Sequence, residues 1–271
     1  MILIRTTFVS PRVAHLAEEL AAASRLPVAF LHDARHPVTV DTSRPTVPLT
    51  RAGCEGLGLY CPDDFAWRCG DYGLYLSHQA FPEADPIWLI EYDVRIGGNA
   101  AAFFEFFRDK REDLLAIDFR PAEKSWFWSS RTYSRDAVPY RCLFPMLRIS
   151  RRAIETLLEK RRQHSRWPQR RALWPNDEAF SATTLTHAGL RCADINSFGR
   201  TFYGDDFSYE RPIDGARFAP TSSEPRLYHP VLFGEEYARK IEQLRLDRLP
   251  ANRWGVPKLR AFNALNRMKR W

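Results

Sequence analysis

Within its first 33 residues the chain places a short apolar run, a helix-start signal and a second apolar run in succession. Ile2, Leu3 and Ile4 form the first run. Ser10-Pro11 puts a capping hydroxyl before a proline suited to the first helical position, and Val13, Leu16, Ala17, Leu20 and Ala21 then recur at helical spacing. Pro27-Val28-Ala29-Phe30-Leu31 is the second run, ending in His32-Asp33. A strand, a helix and a strand in that order make a β-α-β unit, which commits the chain to an α/β architecture.

The rest of the chain continues in this style. Further strands are expected over Ile87 to Ile96, Leu114 to Phe119, Tyr140 to Ile149 and Leu190 to Ile195. Helices are expected over Leu49 to Leu57, Gly70 to Ala80, Ala100 to Lys110, the segment capped by Ser150, Glu178 to Ala188 and Gly234 to Leu244. The Pro/Ser/Thr-rich stretch from Arg35 to Pro48 reads as an irregular connection, and the chain after Asn196 as a long loop. With 271 residues, 45% of them hydrophobic, one large core is affordable. Residues 1–250 are read as one domain and 251–271 as a basic tail, the stretch from Arg253 to Trp271 carrying no acidic residue.

The 40 basic residues outnumber the 33 acidic ones, for a net charge of +7. That excess favours an anionic partner without choosing among nucleotide diphosphate, nucleic acid and acidic lipid. Cys54, Cys61, Cys69, Cys142 and Cys192 contain no CxxC pair, so neither a disulfide framework nor a zinc ribbon is expected. Met1 to Phe8 reads as a strand and not as a signal peptide, and no apolar run approaches the roughly 20 residues of a membrane helix. The expectation is a cytoplasmic protein.

In open α/β sheets ligands gather at the carboxyl ends of strands. His32-Asp33, Glu91-Tyr92-Asp93, Asp177-Glu178 and Tyr228-His229 are the polar clusters that end apolar runs or open helices. Two carboxylates at i and i+2 of a strand face the same way, so Glu91 and Asp93 can reach one divalent cation, and such an ion would neutralise a diphosphate. Pairing of the two with neighbours such as Arg95 in a structural network explains the same spacing. Asp177 and Glu178 at a helix start are favoured by the helix dipole whether or not they do chemistry. Trp126, Phe127 and Trp128, and also Trp174, offer flat apolar faces on which a sugar ring can stack.

Trp67 to Gly73, Trp88-Leu89-Ile90-Glu91-Tyr92-Asp93-Val94, Leu147 to Arg152 and Asn176-Asp177-Glu178-Ala179-Phe180 occur in an order that resembles glycosyltransferases of the GT-A, nucleotide-diphospho-sugar transferase fold. The resemblance implies a single Rossmann-like domain with a mixed central sheet flanked by helices. It implies a nucleotide-sugar donor and a glycan or glycolipid acceptor whose hydroxyl is glycosylated. Glu91-Tyr92-Asp93 then stands where the family carries D-x-D, with glutamate in place of the first aspartate. Mn or Mg would be held by Asp93, Glu91 and His229. Enzymes of this fold that work without a metal use basic side chains instead, and Arg95, Arg148, Arg151 and Arg152 are candidates for that clamp. Arg5, Thr6, Asp33 and Asp71 join Glu91 and Asp93 as donor-binding candidates. Glu178, then Asp177, would be the base of an inverting enzyme. A retaining enzyme needs no such base, and both outcomes stay open. Trp126, Trp128 and Trp174 are the acceptor-binding candidates.

Two other functions fit parts of the chain. A non-catalytic homologue that binds glycan or nucleotide would keep the fold without the turnover. A nucleic-acid-binding protein would use the positive charge, but the basic residues are dispersed and no binding motif is present, so no nucleic-acid partner is expected. The basic tail suggests peripheral contact with the inner face of an anionic membrane.

Overall fold

The computed structural model describes residues 1–36, 43–131 and 138–248. The basic tail at 251–271 therefore lies outside the described residues. The strands are β1 (Ile2–Thr6), β2 (Val28–Asp33), β3 (Thr46–Leu49), β4 (Ile87–Glu91), β5 (Arg95–Gly97), β6 (Leu114–Pro121), β7 (Tyr140–Ile149), β8 (Cys192–Asp194), β9 (Ile213–Asp214), β10 (Arg226–Tyr228) and β11 (Val231–Leu232). The helices are α1 (Pro11–Ser24), α2 (Arg51–Gly56), α3 (Phe65–Arg68), α4 (Gly70–Ala80), α5 (Ala100–Phe107), α6 (Arg151–Ser165), α7 (Pro168–Arg171), α8 (Asp177–His187) and α9 (Glu235–Arg248). Among the described residues no helix is long and apolar enough to cross a membrane.

The described residues form two compact units, one from residues 1–92 and 100–200, the other from 93–99 and 201–248. The first holds a seven-stranded sheet in the order β3-β2-β1-β4-β7-β6-β8. β1 lies parallel to β2 and β4, with Leu3 beside Ala29 and Leu89, while β7 runs antiparallel to β4 and β6. The sheet is mixed and helices flank it, the architecture the family resemblance implied.

The near-continuous apolar strands follow from burial on both faces. Leu3, Leu31, Leu89 and Leu147 meet apolar residues of α4, α6 and α8 in one core cluster. Their alternates turn the other way. Among these, Trp88 stacks edge-on or tilted against Phe103, Phe104 and Phe107 of α5, with ring centroids 5.4, 5.7 and 5.9 Å apart. Ser10 accepts a hydrogen bond from the Val13 N–H and Ser150 one from Ala153, so both expected caps form.

At the first core's centre lies an ion pair with no exposed surface. Arg161 of α6 donates to both carboxylate oxygens of Asp71, at 2.7 and 3.0 Å, and the Tyr75 hydroxyl donates to the same group at 2.6 Å. The guanidinium lies 3.8 Å from the Phe180 ring centroid and 5.2 Å from that of Trp174.

Three of the arginines read as a diphosphate clamp are used elsewhere. Arg148 pairs in register with Trp88, near the amino end of β4 and away from Glu91. It donates at 2.5 and 2.6 Å to the Phe107 and Lys110 carbonyls, satisfying the otherwise open end of α5. Arg152 pairs with Asp113 at 2.6 Å, and the Arg151 guanidinium lies 3.6 Å from Glu83.

The run from Ile87 to Ile96 is two strands and not one. β4 ends at Glu91, the backbone turns through Tyr92 and Asp93, and β5 pairs antiparallel with β10 in the second unit, Ile96 opposite Leu227. There β11 also lies parallel to β9.

Candidate functional site

The carboxyl ends of β1 and β4 carry Arg5 and Glu91 at adjacent register positions. Arg5 donates to Glu91 Oε1 at 2.8 Å and to the Ala66 carbonyl, ahead of α4, at 2.7 Å. Asp177 approaches from the first turn of α8, its Oδ2 accepting the Gly70 N–H at 2.8 Å. A Cβ added at Gly70 would overlap Asp177 Oδ2 and come within 2.7 Å of Arg5 Nη1. Glycine is therefore what lets the Arg5 guanidinium and the Asp177 carboxylate close on one point.

Asn176 caps α8 by accepting from the Ala179 N–H at 3.1 Å, and its amide donates to Glu178 Oε2 at 3.0 Å. Both acidic residues of this turn are buried. Burial pushes the Asp177 carboxyl well above the usual range; Arg5 opposes the rise, while Glu178 and Asp71 add to it. The turn thus presents two carboxyl groups of unlike character: Asp177 tends to keep its proton, and Glu178 is held by an amide donor.

Asp93 follows in the turn after β4. Its carbonyl accepts from the Val231 N–H at 2.8 Å, and its Oδ2 lies 3.6 Å from Nε2 of His229. Both side chains are buried, and the imidazole is steadied by Phe207 and Tyr209, with centroids 5.1 and 5.4 Å away. Burial pushes the Asp93 carboxyl up to about 7. Among the described residues its Oδ1 has no hydrogen-bond partner. A buried carboxylate oxygen in that condition, beside an imidazole, suits a divalent cation. Asp93 and His229 are thus a buried carboxylate and imidazole of the second unit that could together hold a metal ion.

The remaining expected residues are less uniform. Thr6 closes a turn with Phe8, its hydroxyl bonded to that residue's carbonyl and accepting its N–H at 3.2 Å. Asp33 ends β2 as expected but is gripped by Arg35, whose Nε and Nη2 lie 2.9 and 2.6 Å from its two oxygens. Trp128 is half-buried, its ring 6.4 Å from that of Trp67 and lying under Arg68 and Arg131 at 5.7 and 5.4 Å. Trp126 is half-buried beneath Arg141, and Phe127 is 62% exposed.

Two expectations are corrected. Asp71 does not face a donor, because both of its oxygens are taken by Arg161 inside the core. Trp174 offers no face to an acceptor, because its indole is fully enclosed beside Tyr60. Three contributors had gone unread: Gly70, Arg35, and the hold of Asn176 on Glu178. An Asn before a helix is a visible cap signal, but its second bond depends on a side-chain geometry that spacing does not encode.

No family model matches the chain, and no curated protein does. Among solved structures it is similar to a putative glucose-1-phosphate thymidylyltransferase from Bacillus anthracis in complex with a sucrose, at 10% identity over 71% of this chain and 85% of that one, TM-score 0.39. It is similar to a glycosyltransferase involved in glycosylation of the major capsid of PBCV-1, at 11% identity over 90% and 98% of the two chains, TM-score 0.40. The galactosyltransferase LgtC in complex with donor and acceptor sugar analogs gives 10% identity over 79% and 76%, TM-score 0.40. These neighbours are glycosyl- or nucleotidyltransferases with GT-A-like folds. Likenesses of this size leave activity to be argued from the site itself.

Proposed function

We propose that the protein is a glycosyltransferase, moving a sugar from a nucleotide-diphosphate donor to a hydroxyl of a glycan or glycolipid acceptor. The observation that supports this reading is the convergence of Arg5, Glu91 and Asp177 at the carboxyl ends of β1 and β4, with Glu178 held beside them by Asn176. Sugar transfer needs a group that meets the leaving diphosphate and a base that reaches the acceptor hydroxyl. In the inverting form of the reaction, the bond from the anomeric carbon to the diphosphate oxygen breaks as the acceptor oxygen bonds to that carbon. The hydroxyl proton passes to Glu178, and the electron pair leaves with the nucleotide diphosphate. Asp177, tending to keep its proton, is the second candidate and is better suited to donate a hydrogen bond to substrate.

Asp93 and His229 are the residues that would hold Mn or Mg, which when bound would supply charge neutralisation for the diphosphate. Arg5 offers a cationic contact at the carboxyl end of β1. Thr6 and Asp33 are assigned to the nucleoside side of the donor, and Trp126 and Trp128 to the acceptor.

The test is a thermal-shift panel of nucleotide diphosphates and nucleotide sugars, with and without manganese, followed by assays of donor hydrolysis and transfer. One nucleotide should stabilise the protein. Glu178→Gln should keep that shift while turnover falls by about 10²–10⁴. Absence of a shift with every nucleotide, together with absence of turnover, would overturn the proposal.

A further inference from the structure

Residues 160–174, from the end of α6 through α7 to the approach of α8, contain six basic residues and no acidic one. Within the same stretch two large apolar side chains face water, Trp167 at 60% exposure and Leu173 at 55%. Neither exposure comes from a loose loop. At one end Ser165 accepts the Tyr60 N–H and donates to the Arg161 carbonyl, both at 2.8 Å. At the other, Trp174 is fully enclosed and packs edge-on against Tyr60, ring centroids 5.2 Å apart. Arg171 ties the middle down, donating to the Ser165 carbonyl at 3.3 Å and lying 4.8 Å over the Tyr60 ring. The fold thus fixes a tryptophan and a leucine outward beside exposed Arg166 and half-buried Arg170.

Next to this segment a cavity of about 580 Å³ opens between α6 and α8. Lys160 and Arg170 supply two positive charges to its wall against the one negative charge of Glu159, Thr156 and Thr183 supply hydroxyls, and Phe180 an aromatic surface. In the same wall the buried imidazole of His164 is pushed down to about 3, first by desolvation and then by Arg170, Lys160 and Arg161. Arg170 belongs both to the apolar-basic segment and to the cavity wall.

We propose that this corner of α6, α7 and α8 docks the protein on an anionic bilayer, Trp167 and Leu173 entering the interface while Lys160, Arg166 and Arg170 meet lipid phosphates, one headgroup sitting in the cavity. Tryptophan is the side chain best suited to the headgroup level, and a single anchor binds only marginally without a basic cluster beside it. Both requirements are met here within one rigid turn. α8 joins the two regions of the first unit: Glu178 lies in its first turn and Thr183 and His187 line the cavity, along a helix of 11 residues, about 16 Å. The inference stands apart from the glycosyl-transfer reading and does not need it.

Co-sedimentation of the full chain with vesicles tests it. Binding to equimolar phosphatidylglycerol and phosphatidylcholine is expected, with little to phosphatidylcholine alone. Trp167→Ser with Leu173→Ser should weaken binding by about tenfold or more, and each of Arg166→Gln and Arg170→Gln by about fivefold. All four side chains lie at the surface or a cavity wall, so melting temperatures should stay near the parent's, a control read on the same samples. Full binding by the double variant would overturn the proposal, as would equal binding to both vesicle types. Loss of binding only when residues 249–271 are deleted would assign the contact to the tail and also overturn it. Retention by single-stranded nucleic acid, reduced by the arginine variants but unchanged in the Trp167/Leu173 variant, with no vesicle binding, would point to a different partner and overturn it too.

Discussion

Arg161→Met should cost the fold about 3–5 kcal/mol, the range for removing one partner of a buried ion pair. Methionine fills much of the space of the arginine stem, so the loss comes mainly from electrostatics and not from a void. The variant removes two charge-assisted bonds to Asp71, of 2.7 and 3.0 Å, and the 3.3 Å bond to the Pro175 carbonyl, while the Tyr75 hydroxyl still donates to the carboxylate. Asp71 is then a carboxylate with no exposed surface and no counter-charge at its side, in a core that neither water nor salt can reach. Urea unfolding followed by circular dichroism measures the loss, and an unchanged m-value would keep it a statement about stability. Adding Asp71→Asn to the methionine variant removes the stranded charge and should restore about half of the loss or more, a coupling only groups in contact show. A single variant within about 1 kcal/mol of the parent, or two losses that simply add, would refute the reasoning. Asp71→Asn alone also separates core from ligand: stability should fall while nucleotide binding by the folded fraction is kept.

The Gly70→Ala methyl has nowhere to go but into the Asp177 carboxylate and the Arg5 guanidinium. It should destabilise the chain by about 1–3 kcal/mol and lower turnover by roughly 100-fold, read by unfolding and donor-consumption assays; full activity would contradict the placement of those two groups. His164 gives a pH dependence of definite sign. Its folded value lies near 3, below the ordinary 6.5, so as pH falls through 6.5 the unfolded chain takes a proton that the folded chain refuses, and stability drops. At about pH 5 the loss should be about 2 kcal/mol and should vanish in His164→Gln; parallel pH profiles of variant and parent would contradict this. Asp93→Asn should weaken manganese binding, measured by calorimetry, by more than the roughly 10–100-fold lost on removing an outer-shell group, and unchanged affinity would exclude Asp93 as a ligand.

What could be read in advance was whatever local chemistry decides. Ser10-Pro11 and Ser150 announce their helices because a cap is made within four residues of itself. β3 was hidden in the Pro/Ser/Thr-rich stretch: Pro48 argues against a strand, yet an edge strand tolerates it, and β3 is the edge. The break after Glu91 was equally hidden, since β5 exists by pairing with β10 far along the chain. Asp33, Glu91, Asp93 and the Asp177-Glu178 pair could be placed because strand ends and helix starts have recognisable patterns. Whether a given side chain then faces a ligand or a neighbour was not legible, as Trp174 and Asp71 show. Each needs a partner from another element, and composition does not say which one.

Arg5 has a consequence for the kinetics of encounter. The chain as a whole is positive, at +7, but the Arg5 guanidinium is already paired with Glu91 at 2.8 Å, so its charge is offset where it sits. A polyanion is therefore drawn in by the net positive charge over a reach set by the Debye length of about 8–10 Å, and must compete with Glu91 for Arg5 over the last stretch. Raising salt should slow its arrival, whereas the largely buried Arg5–Glu91 pair is screened much less. Association rate should then fall more steeply than bound-state affinity along an ionic-strength series, so that this protein, basic in bulk and with its cation already paired at the point of contact, captures its ligand in two stages.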